Sequence, residues 1–179
     1  MAIRIVFETH STSTDNEVGV ASGWADSRLS ERGRLQAREM GERRRDDRIS
    51  VVLCSDLRRA VETIEIAFED TVTNRLLDWR LRECDYGDMT RMPVDDLHRE
   101  MTQHVDDPYP GGESWRQAVL RVSKVFDDIA TRWSGERVLI VGHRATRWAL
   151  DHVVAGVPLE DLVQEDFDWR AGWEYRLQP

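Results

Sequence analysis

Two apolar runs in this chain each stop at a histidine, and this restricts the fold more than any other feature of the sequence. Ile3-Arg4-Ile5-Val6-Phe7 leads into Glu8-Thr9-His10, and Val138-Leu139-Ile140-Val141-Gly142 leads into His143. A third run, residues 49–53, ends in Cys54-Ser55-Asp56-Leu57-Arg58-Arg59. Short β-branched runs of this kind read as buried strands. Helical patterns alternate with them, which points to a parallel sheet covered on both faces. Side by side and parallel, the strands bring two imidazoles and an arginine to one sheet edge, where open α/β sheets bind ligands. Such a cluster suits an anion such as phosphate, and either histidine has the chemistry to attack it.

The remaining pattern fits one α/β domain over residues 1–179, a three-layer α/β/α arrangement on a mostly parallel open sheet. Residues 2–8 read as the first strand and 11–28 as a long loop, of a length that is usually functional. Ser30 is placed to cap a helix over 31–46, with Leu35 and Met40 on its inner face. The run Arg43-Arg44-Arg45-Asp46-Asp47-Arg48 reads as a solvated helix end. Residues 49–54 form a strand. Ser55 or Asp56 then caps a helix over 57–69, and 76–92 is an irregular connection. A short helix starts at Pro93, and 106–112 is a turn-rich break. Ser114 with Gln117 forms a capping box for a helix ended by Gly135. A strand over 137–142, a helix over 145–155, a turn of helix from Pro158 and an alternating strand over 172–177 complete the chain.

Composition narrows the function. The net charge is −9, so a phosphate backbone is repelled and nucleic acid is not an expected partner. Cys54 and Cys84 are too few for a disulfide framework, and the Cys and His residues lack metal-ligand spacing. No apolar run reaches membrane-spanning length, so a soluble, cytoplasmic protein without a membrane partner is expected. The oligomeric state is not legible. Trp24, Tyr86 and Tyr109 are candidates to line the site. Trp169, Trp173 and Tyr175 read as core, and Cys54 as a small buried residue.

Six segments, in order, resemble the histidine phosphatase superfamily, also called phosphoglycerate-mutase-like. They are Thr9-His10-Ser11-Thr12-Ser13-Thr14-Asp15-Asn16, Leu29-Ser30-Glu31-Arg32-Gly33-Arg34-Leu35-Gln36-Ala37, Ser55-Asp56-Leu57-Arg58-Arg59-Ala60-Val61-Glu62-Thr63, Leu81-Arg82-Glu83 with Tyr86-Gly87, Pro110-Gly111-Gly112-Glu113-Ser114, and Val138 to His143. The resemblance implies that His10 is the nucleophile and forms a phosphohistidine. Arg59 and His143 would hold the transferring oxygens, Asn16 would add a hydrogen bond, and Glu83 would serve as acid and then base. It implies no metal and no cofactor. Thr9, Ser11 and Arg144 are the other candidate phosphate contacts.

The chain departs from the family motif where it matters. Thr9 replaces the arginine before the nucleophile, Ser11 replaces a glycine, Thr12 replaces a glutamate, and Arg144 follows the second histidine in place of a small residue. Loss of one preorganised donor costs roughly 3–4 kcal/mol of transition-state stabilisation. Arg144 or Arg28 is the expected source of the missing charge. The first expectation is a metal-independent phosphatase acting on a small phosphate ester, with hydrolysis ranked above mutase activity because the chain is short. The alternatives are a weak or silent member that binds a phosphorylated metabolite or a partner, and a member with altered chemistry on a less charged substrate.

Overall fold

The computed structural model describes residues 1–165 and 168–178. Its five strands are β1 (Ile3–Thr9), β2 (Val51–Cys54), β3 (Asn74–Leu77), β4 (Arg137–Gly142) and β5 (Trp173–Leu177), in the order β3-β2-β4-β1-β5. β1, β2, β3 and β4 are parallel, and β5 runs antiparallel to β1 at one edge. The helices are α1 (Thr14–Glu17), α2 (Glu31–Arg44), α3 (Arg58–Ala67), α4 (Val94–Glu100), α5 (Trp115–Arg132), α6 (Arg144–Ala149) and α7 (Leu159–Leu162). This is the expected α/β class.

Alternation along the strands divides the core in two. Ile3, Ile5, Phe7, Leu53, Val138 and Ile140 join the inner face of α5, where Ala118, Val122, Val125 and Ile129 are buried. Val6, Val52, Cys54, Leu139 and Val141 pack on the other side against Met40, Ala60 and Ile64 of α2 and α3. Every one of these strand positions is buried. That is why the central strands read as continuous apolar runs rather than half-polar ones. α5 begins with the capping box of Ser114 and Gln117.

Several local expectations are corrected. Leu57, not Ser55 or Asp56, is the N-cap of α3, without a side-chain cap. Ser55 Oγ instead accepts the Leu57 N–H, and Asp56 is spent on Arg82. The region read as irregular from residue 76 contains part of β3, a four-residue edge strand whose side chains are all exposed. The long loop contains α1, closed by a Ser13–Asn16 capping box. Leu35 faces solvent, and Gly33, Ala37 and Met40 form the buried face of α2. The helix after β4 starts at Arg144 and continues as a π turn over Leu150–Val154. The charged end of α2 is not simply solvated: Arg43 and Arg44 both donate to Glu8, which is 1% exposed.

α2 also presses directly on the loop that follows His10. A Cβ added to Gly33 would lie 2.0 Å from the Thr12 carbonyl oxygen. In an ordinary helix, Gly33→Ala would gain about 1 kcal/mol. Here the clash is with backbone, and overpacking of this kind costs about 1–3 kcal/mol. The urea midpoint of Gly33→Ala is therefore expected to fall below that of the wild type. An unchanged or raised midpoint would show that the two segments do not meet.

Candidate active site

The site begins with strand register. β1 pairs with β4 so that Thr9 lies opposite Gly142, and His10 and His143 are the next residues on each strand. The ladder runs one step further through His10 N–H to Gly142 O at 3.0 Å. The two imidazole centroids are consequently 4.9 Å apart. β2 lies on the far side of β4 and delivers α3, with Arg59 in its first turn. Arg58 points elsewhere and pairs with Glu62 at 2.7 Å.

Arg59 is 2% exposed, and its guanidinium bridges both histidines. Nε faces His10 Nε2 at 3.3 Å, and Nη2 faces His143 Nδ1 at 3.4 Å. The same group donates to the Gly23 carbonyl at 2.9 Å and the Ala25 carbonyl at 3.3 Å. His10 Nδ1 lies 2.7 Å from the Ser11 carbonyl. A carbonyl accepts only, so the ring proton sits on Nδ1 and the lone pair of Nε2 accepts from Arg59. By the same reasoning His143 Nδ1 accepts from Arg59 and its proton is on Nε2, which is buried and has no hydrogen-bond partner. Burial, with the Arg59 charge as the second cause, lowers the His10 pKa to about 3. The same two causes, in the same order, lower that of His143 well below the usual histidine range. Burial lowers the Arg59 pKa, and Glu83 opposes the shift.

Glu83 is held from two sides. Its carboxylate accepts N–H groups from Cys84 at 2.9 Å, Ala145 at 3.0 Å and Arg144 at 3.2 Å, the last two at the start of α6. Its carbonyl accepts from Trp24 Nε1 at 2.6 Å and from Arg121 Nη2 at 3.0 Å. Arg121 also donates to the Arg80 and Arg82 carbonyls and to Glu113. The sequence reading passed over Arg121. Its position offered a signal: three residues after Ala118 and four before Val125, an arginine falls on the buried face of α5. Trp24 is not on the cleft wall but under it, with the Arg82 and Arg121 guanidiniums 4.8 and 5.5 Å from its ring. One short segment, Gly23-Trp24-Ala25, therefore grips both Arg59 and Glu83.

His10, Arg59, Glu83 and His143 all border one cleft of about 620 Å³, as do Thr9, Ser11, Asn16 and Arg144. Ser11 is buried, and its N–H donates to Thr63 Oγ1 at 3.0 Å. Asn16 Oδ1 is spent on its own cap, accepting from Ser13. Arg144 reaches toward α4, where it meets His98 Nε2 at 2.8 Å and Met101 Sδ at 3.5 Å. Arg28 is exposed and is not on the cleft wall, so it does not replace the missing motif arginine. Tyr86 lines the cleft, Tyr109 is buried away from it, and Trp169 is exposed at its edge rather than in the core. Among the described residues no cluster of His, Cys, Asp and Glu is arranged to hold a metal ion, and no helix is long and apolar enough to cross a membrane.

The profile of the histidine phosphatase superfamily (branch 1) matches residues 5–169. A probable phosphoglycerate mutase, GpmB, of an Enterobacter species is 29% identical over 164 residues, covering 87% of this chain and 76% of that protein. A 2,3-bisphosphoglycerate-dependent phosphoglycerate mutase of Methylorubrum extorquens is 30% identical, covering 97% and 89%. Among solved structures, YhfR of Bacillus stearothermophilus superposes with a TM-score of 0.81 at 26% identity, covering 95% of this chain and 88% of that one. Mycobacterial glucosyl-3-phosphoglycerate phosphatase shares the fold, with a TM-score of 0.79 at 24% identity and coverage of 89% and 85%. With its strand-end histidines and a matching profile over most of its length, the chain belongs to the histidine phosphatase superfamily, whose members similar to it include phosphatases and phosphoglycerate mutases.

Proposed function

We propose that this protein is a metal-independent phosphomonoesterase that works through a phosphohistidine on His10. The observation that carries the reading is the buried Arg59 guanidinium between two neutral imidazoles, one that offers it the Nε2 lone pair and one whose Nε2–H has no hydrogen-bond partner. The lone pair of His10 Nε2 attacks phosphorus, and the bond from phosphorus to the ester oxygen breaks. Glu83 serves as the acid that passes a proton to the departing alcohol. Glu83 then takes a proton from water, whose oxygen attacks the phosphohistidine and releases phosphate. Arg59 and His143 Nε2 donate to the equatorial oxygens, where charge is densest in the transition state. The donors that remain after replacement of the motif arginine are fixed before substrate arrives, so they need no reorganisation. Hydrolysis is our reading, although relatives named above are mutases by name.

His10→Ala is expected to lower turnover of an aryl phosphate at least about 10³-fold while the protein stays folded, with no acid-labile phosphoprotein trapped in rapid quench. Equal turnover in variant and wild type would remove His10 from the nucleophile role. Glu83→Gln is expected to lose more rate with alkyl esters than with nitrophenyl phosphate, because only the poor leaving group needs the proton. Equal losses would remove Glu83 from the acid role.

The neutral state of His10 has its own consequence. The folded protein holds His10 unprotonated down to pH about 3, whereas the unfolded chain takes up a proton below 6.5. The unfolded state binds more protons in that window, so stability falls as pH drops from 6.5 toward 3. Nitrogen-15 NMR is expected to show His10 with its proton on Nδ1 at every pH from 8 to about 4. A midpoint near an ordinary histidine value would contradict the site electrostatics.

A further inference from the structure

The cleft has two unlike sides, and the position of Glu83 says which of them receives the alcohol half of the substrate. An acid that protonates the leaving oxygen must sit beside it, so the alcohol extends from His10 past Glu83. On that side Arg144 bonds to Glu83 through its N–H and contacts Met101, just past α4, through its guanidinium. The loop before Ser22 is sewn to the start of α4 by Ala21 N–H to Met92 O and Val94 N–H to Gly19 O, both 2.9 Å. The wall so built is apolar: Val20, Tyr86, Val94, Leu97 and Met101.

One arginine stands beside this wall. Arg144 is engaged by His98 and lies 5.7 Å from the Trp148 ring. The other cleft arginines outside the catalytic group, Arg32 and Arg43, stand on α2 across the nucleophile, and Arg43 is tied to Glu8. The space, about 620 Å³ for the whole cleft, is of the size that holds a drug-sized ligand rather than phosphate alone.

We infer that the preferred substrates are phosphate monoesters of apolar alcohols, alkyl or aryl. The inference rests on the hydrolytic reading above for turnover, but not for binding. Each methylene buried against the wall improves affinity up to about fourfold.

The test uses the full chain and a series of non-hydrolysable alkylphosphonates from methyl to hexyl, with calorimetric Kd values. Alongside it, kcat/KM is measured for the matching alkyl phosphates and for 3-phosphoglycerate. The expected result is a Kd that falls about two- to fourfold per methylene over the first four carbons, and a higher kcat/KM for butyl phosphate than for 3-phosphoglycerate. Met101→Glu and the less buried Val94→Asp are each expected to flatten the dependence of Kd on chain length. A flat Kd series in the wild type, or preference for 3-phosphoglycerate, overturns the inference. Chain-length-dependent binding without turnover keeps the apolar pocket and overturns the hydrolytic reading. Turnover without chain-length dependence does the reverse.

Discussion

A single buried guanidinium organises this molecule's chemistry. Arg59 enters from the first turn of α3, loses nearly all contact with water, and spends its donors on two imidazoles and two loop carbonyls. A buried cation is tolerable only with such partners. Burial, with this charge as the second cause, keeps both histidines neutral. Substrate phosphate would replace those contacts with stronger, charge-assisted ones. On the proposed reading, the resting arrangement is an anion site held open by weaker hydrogen bonds.

That guanidinium is placed by pairings remote in sequence. The β1–β4 register sets the imidazoles side by side, and the β2–β4 pairing brings α3 to the same edge. The Gly23-Trp24-Ala25 segment then ties Arg59 to Glu83, and Arg121 fixes the backbone around Glu83 from the opposite layer. The same arrangement gives physical content to the long loop after His10. It holds Arg59 through the Gly23 and Ala25 carbonyls and carries a short helix of its own.

Much of this was legible because burial on both faces writes itself plainly into sequence. β1, β2 and β4 carry consecutive apolar positions, and the candidate site residues follow their ends. The capping box of Ser114 and Gln117 was equally direct. The failures have a common origin in tertiary contacts that local patterns do not encode. β3 is an exposed edge of four residues with no apolar alternation to mark it. Leu35 looked like core, yet α2 buries the small Gly33 and Ala37 because the loop after His10 comes so close. Arg43 and Arg44 looked like surface charge until Glu8, at the end of a buried strand, gave them a partner. Glu8, Arg121 and Trp24 support the site from behind, and their roles appear only once the layers are assembled.

The central claim is that one tetrahedral anion touches His10, Arg59 and His143 together. A crystal structure with bound tungstate tests it most directly. The account predicts a tungsten atom in line with His10 Nε2, with anion oxygens within hydrogen-bond distance of the Arg59 guanidinium and His143 Nε2. Tungstate held instead by Arg32 and Arg43 on α2, leaving the two imidazoles without it, would contradict the account.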